Sequence, residues 1–190
     1  MSDASPAVAP AAAPPPFVPM RWPATVGYMA ASVVIGLTQG LAQGFVSSNI
    51  PQISGDLGAT QTQATWLMAA FLTPRASLPL LLIKIRTQFG LRRFTEIFLV
   101  LYVAIAAAHL FVHGLGSAIA VRAAHGLCGA ALSSLGLYYM VQAFPAKWRM
   151  KALVLGLGTS QLALPLARLF SEDLLQIAEW RGLYLFELGM

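Results

Sequence analysis

The chain has 190 residues, of which 57% are hydrophobic and 10% charged, with 12 Lys and Arg against 7 Asp and Glu. A soluble domain carries about 25% charged residues; so few charges could not solvate a compact surface, so a water-soluble globular protein is excluded and an integral membrane protein is expected. The net charge of +5 would suit nucleic acid if it formed one patch, but the basic residues sit in short clusters between apolar blocks, where they set topology, and no nucleic-acid partner is expected.

Residues 1–20 are rich in Ala and Pro, with one acid, Asp3, and no Lys or Arg. Such a segment cannot pack and reads as a disordered cytoplasmic tail. It also lacks the basic start and short apolar stretch of a signal peptide. From residue 21 onward, runs of about 20 mainly apolar residues mark membrane helices. The first covers about 24–46, behind Arg21 and Trp22 as an interfacial pair, and a polar connection with Pro51, Gly55 and Gly58 follows. The second covers about 64–83 and is interrupted by Pro74, Arg75 and Pro79. Lys84, Arg86, Arg92 and Arg93 then cluster around Gly90, before a third span at about 94–112 and a fourth at about 118–141. The loop 144–151 is basic again, and the fifth span, about 152–170, holds Pro165. After an acidic connection with Glu172, Asp173 and Glu179, a sixth apolar run starts at 183. Its few residues cannot cross ~30 Å of hydrocarbon at 1.5 Å per residue. The expected architecture is all-α, a polytopic transmembrane helix bundle over 21–190 with its sixth helix incomplete.

Orientation follows from loop charge. Eight of the twelve basic residues precede the first span or lie in the loops after the second and fourth, while the short loops after the first and third have none. Cytoplasmic loops are the basic ones, so the N-terminus is expected in the cytoplasm and the chain in the inner membrane. Cys128 is the only cysteine, which excludes an intrachain disulfide. With no paired carboxylates, no His/Cys cluster and no nucleophile motif, neither an enzyme nor a metal or cofactor is expected.

A charge at the centre of a bilayer costs at least ~2.5–3.5 kcal/mol, which makes Arg122 in the fourth span and Arg75 in the second the leading functional candidates. They are expected to face a path for protons or substrate; the structural alternative has Arg122 reaching to the interface and Arg75 satisfying itself on a neighbouring helix. No Asp or Glu lies deep in the first five spans, Glu96 being near the start of its own. His125, one turn beyond Arg122 on nearly the same face, is then the titratable candidate, or else a plain packing residue. Gly36 with Gly40, Gly126 with Ala130 and Gly156 with Ser160 are spaced for close helix approach. Pro165 is expected to bend its helix.

The run SNIPQISGDLGATQTQATWLMAAFL, Ser48 to Leu72, resembles the segment joining the first two helices in major facilitator superfamily transporters of the EmrB/QacA-type multidrug:proton antiporter branch. FGLRR, Phe89 to Arg93, is similar to the end of that superfamily's loop signature, and AVRAAHGLCGAAL, Ala120 to Leu132, to its fourth-helix motif. FPAKWRMKAL, Phe144 to Leu153, then Pro165 and Trp180–Arg181 continue the same order. The resemblance implies the N-terminal half of a proton-coupled efflux transporter, with lipid, protons and a small-molecule substrate as partners and a C-terminal half or another membrane subunit missing. It makes Arg122 the residue coupled to proton exchange, Gly90, Arg92 and Arg93 the inner gate, Gly126 and Gly129 close-packing points, and Pro165 the bend of helix five. Three positions depart from the family: Thr87 stands where the loop signature has an Asp of the gate, Ala42 where helix one has an acid, and His125 where the fourth-helix motif has Gln. A non-transporting membrane scaffold, or a relic of a transporter, is the competing expectation.

Overall fold

The computed structural model describes residues 22–178 and 181–190, and of residues 80, 81, 83, 86, 171–178 and 181 the backbone alone. The expected tail, Arg21, Glu179 and Trp180 lie outside the described residues. Within them the chain forms α1 (Trp22–Ser48), α2 (Ile50–Asp56), α3 (Gln61–Ala64), α4 (Trp66–Ser77), α5 (Pro79–Phe89), α6 (Leu91–Ala108), α7 (Leu115–Ala143), α8 (Arg149–Ala178) and α9 (Arg181–Gly189). Single 3₁₀ turns join α6 to α7 and α7 to α8. Four of the described helical segments, beginning at Trp22, Leu91, Leu115 and Ala146, are long and apolar enough to cross a membrane. Large apolar side chains point outward from them, including Ile97, Val100 and Val103 of α6 and Val154, Leu162 and Leu169 of α8. In water such a surface would be untenable; against lipid tails it is the expected one.

Three stretches differ from the sequence-based expectation. The connection after the first span contains α2 and α3 instead of open loop. Thr60 and Gln63 explain the second of these: the Gln63 amide donates to Thr60 Oγ1 at 3.2 Å and the Thr60 amide to Gln63 Oε1 at 2.9 Å, a reciprocal cap. The second span is two helices, broken at Leu78. Pro79 has no N–H to offer the carbonyl one turn back, at Arg75, whereas α4 continues through Pro74. Finally, α8 runs on to Ala178, so the stretch with Glu172 and Asp173 is helical, and α9 starts at Arg181 instead of 183.

The bundle is held by close backbone approach. Along α1, Gly36, Gly40 and Gly44 face α8: a side-chain carbon on Gly36 would meet Thr159 Cγ2 at 3.3 Å, one on Gly40 would collide with the Ser160 carbonyl and Ala163, and one on Gly44 with Ala167. Ala163 and Ala167 are fully buried in that seam. Gly126 of α7 similarly lies on the Phe71 backbone of α4, leaving no space for a methyl group. Ser32 ties α1 to α7 by donating to the Gly136 carbonyl at 2.7 Å. Since lipid is as apolar as any side chain, such dispersion contacts and interhelical hydrogen bonds supply the attraction between helices.

Adding a methyl group in the α4–α7 seam should therefore separate two helices. Gly126→Ala is expected to lower the thermal unfolding midpoint in detergent by the equivalent of about 1–3 kcal/mol, with Gly40→Ala similar. Gly158→Ala, which meets nothing within 4 Å, should leave the midpoint unchanged.

Candidate functional site

Where α1, α4, α6, α7 and α9 converge, the core is ionic. Arg122 of α7 is 0% exposed and is the largest fully buried side chain among the described residues. Its Nη2 donates to the Ala42 carbonyl of α1 at 2.9 Å, and its guanidinium carbon lies 4.1 Å over the Phe71 ring of α4. Nη1 approaches His125 Nδ1, one turn on, at 3.4 Å. Both Arg122 and His125 are thus brought to the centre by one face of α7, as the spacing of three residues requires.

A carboxylate meets them there. Glu187 of α9 is 5% exposed, accepts a hydrogen bond from the Tyr102 hydroxyl of α6, and places Oε1 2.9 Å from His125 Nε2. That contact is close enough for an ion pair but off the line of a good hydrogen bond. The protonation pattern follows from donor chemistry. A guanidinium only donates, so His125 Nδ1 accepts, and the imidazole proton sits on Nε2, the nitrogen that faces Glu187. Around this line the rings pack edge to face: His125 lies 5.6 Å from Phe71, 4.8 Å from Tyr102 and 5.1 Å from His109, measured between centroids. His109 stacks on Tyr184 of α9 at 3.9 Å and contacts the Ile105 carbonyl through Nδ1 at 2.9 Å.

Charge balance gives the arrangement its chemistry. The Glu187 carboxyl and the Arg122 guanidinium, with His125 between them, bring groups of opposite charge together in a low-dielectric core, where an unpaired ion costs several kcal/mol. One added proton leaves the cluster with an uncompensated positive charge. The group can hold or release a proton only by changing its electrostatic energy strongly, which is what a proton-linked conformational switch needs.

The remaining expected site residues lie elsewhere. Arg75 is half-buried, its guanidinium carbon 5.4 Å from the Phe71 ring centroid, its Nη1 3.4 Å from Gln43 Oε1 and its Nη2 3.3 Å from Ser133 Oγ. Gly90 makes the turn between α5 and α6 with a φ of +80° that favours glycine. Arg92 is paired with Glu96 of its own helix at 2.8 Å, and Arg93 is exposed. Thr87 turns its hydroxyl back to the Lys84 carbonyl at 2.7 Å, so no charge link of the expected gate starts from it. Gly129 lies against the Gln39 side chain. Pro165 sits within the unbroken helix α8, lining a cavity with Gln43 and Arg168.

Glu187, Tyr102, His109 and Tyr184 are the members the sequence reading missed. Glu187 interrupts an apolar run, YLFELGM, a signal discounted because the run is too short to span. Tyr102 and His109 are seven residues apart in sequence, hence on one face of α6 and the turn that follows it. A family model described as Major Facilitator Superfamily matches residues 20–190. No curated protein matches the chain.

If the cluster is an electrostatic unit, removing one charge is worse than removing both. Glu187→Gln and Arg122→Gln are each expected to cost about 3–5 kcal/mol of stability. The double variant should lose clearly less than the sum, a coupling that thermal unfolding of the four proteins in detergent would read.

Proposed function

The chain belongs to the major facilitator superfamily, whose members are membrane transporters, and we propose that it is part of a proton-coupled efflux system for drugs or other small molecules, of the EmrB/QacA-type antiporter branch. The observation that carries this reading is the buried line Arg122–His125–Glu187–Tyr102, formed by three helices at membrane depth. Intramembrane ionisable groups are expensive and mark ion pathways by default. Glu187 is the proton carrier, Tyr102 and His125 hold its carboxylate, and Arg122 balances its charge.

The geometry also supports an account of the missing acid in helix one. Arg122 meets a backbone carbonyl at Ala42, where the resembled branch has a carboxylate. Here the negative charge arrives from α9 instead. Protonation of Glu187 would leave Arg122 uncompensated and favour a state in which water or substrate reaches the cluster. Such folds move one six-helix half against another around a central path. The inner gate is the turn at Gly90 with Arg92 and Arg93. The basic loops support an inner-membrane location with the N-terminus in the cytoplasm.

The test is substrate-induced proton release from everted vesicles holding an acid interior, followed with acridine orange and ethidium as the offered substrate. The unmodified protein should dissipate the gradient when ethidium is added. Glu187→Gln and Arg122→Ala, present in the membrane at equal amount, should reduce the response by about tenfold or more, in the range of losing an essential proton-transfer group. An unchanged response in both variants would overturn the proton role and favour a scaffold that works by helix contact alone.

A further inference from the structure

A second cation, Arg75, lies beside the ionic cluster, sharing with Arg122 the Phe71 ring. Arg75 lines a cavity of ≈ 120 Å³ together with Ser32, Ser133, Ser160 and Gln161. Gln161 is shared with a neighbouring cavity of ≈ 400 Å³, whose wall includes Gln43 and Ser47. The two cavities form one polar trench along the α1–α8 seam, reached by α4 and α7. The glycines at Gly36, Gly136 and Gly156 line its narrower part.

The partners of Arg75 are the Phe71 ring, 5.4 Å from its guanidinium carbon, and neutral hydrogen-bonding groups, with no carboxylate among them. Its hydrogen bonds, at 3.4 Å to Gln43 and 3.3 Å to Ser133, are long and go to neutral groups. A guanidinium has five N–H donors in a fork shaped for a carboxylate. The sequences of α1, α4 and α7 and residues 149–170 of α8 contain no Asp or Glu. Among the described residues no ion pair involves Arg75. The cost of a charge at this depth is thus not offset by any acid of the elements that wall the trench. Serine hydroxyls and glutamine amides around it add further donors for oxygen.

We propose that this trench is a binding site for a small organic anion, with Arg75 receiving the carboxylate in bidentate fashion and Ser133, Ser160 and Gln161 completing its hydrogen bonds. The assignment rests on the transport reading for its purpose and extends it to a second class of molecule beside cationic drugs such as ethidium: an organic acid in its ionised form. Anion capture at Arg75 is distinct from proton carriage at Glu187, which does not line the trench, although Arg75 and Arg122 lie against the same Phe71 ring.

The experiment is calorimetric titration of the full chain in phosphatidylcholine nanodiscs with benzoate and, separately, with benzamide, its uncharged analogue. Benzoate should bind at least about tenfold more tightly than benzamide, the scale of one charge-assisted pair. Arg75→Gln should abolish that preference and Arg75→Lys should keep part of it, with thermal unfolding of each variant confirming a folded protein. Equal affinity for the two probes, or an Arg75→Gln protein that still prefers benzoate, would overturn the proposal. Phosphatidylglycerol in the nanodisc should leave benzoate affinity unchanged; loss of affinity there would assign the site to a lipid headgroup and overturn the substrate reading. Glu187→Gln separates the two ideas. If it stops the vesicle response while the wild type fails to prefer benzoate, the anion site falls and transport stands. If benzoate preference is intact and the vesicle response does not depend on Glu187, the proton reading falls and the anion site stands.

Discussion

The fold is organised around the need to neutralise one guanidinium where water cannot reach it. Arg122 has three environments available at its depth: a carbonyl, an aromatic face and a distant carboxylate, and it uses all of them. Ala42 contributes the carbonyl, Phe71 the ring and Glu187 the charge, the last through His125. These come from α1, α4 and α9, so a single side chain of α7 couples four helices. Without that compensation the cation would cost more than the surrounding packing returns.

The glycine seams make this possible. Phe71 can lie beneath the Arg122 guanidinium because Gly126, one turn further along α7, lets the α4 backbone approach without a side chain between them. The same economy of volume along Gly36, Gly40 and Gly44 brings α8 onto α1. Close approach and charge burial are thus one design: the helices must be near enough for short polar side chains to bridge them, and only small residues permit that distance.

Two polar regions emerge with different character. The Arg122 cluster is closed, holds groups of both charge signs and is lined by rings. The Arg75 trench is open, positively charged and lined by hydroxyls and amides, suited to a molecule. The departures from the family pattern fall into place on the same terms. At Ala42 a backbone carbonyl meets Arg122, His125 stands between Arg122 and Glu187, and Thr87 closes on its own turn.

The sequence by itself determined the membrane class, the helical fold and the placing of Arg122 and His125 on one helix face, because each follows from composition or from spacing along a single helix. The break of the second span at Pro79 was half legible: proline chemistry marks the place, but Pro74 carries the same mark and its helix continues. Glu187 was not legible as a partner, since its place depends on how α9 packs against α6 and α7, which brings it to Tyr102, 85 positions away in sequence. Nor could the sequence separate Arg75 from Arg122, both lone cations in apolar runs. Only the tertiary structure decided that one finds a carboxylate and the other does not, because charge compensation in a membrane is set by which helices meet, and pattern along one helix does not encode its neighbour.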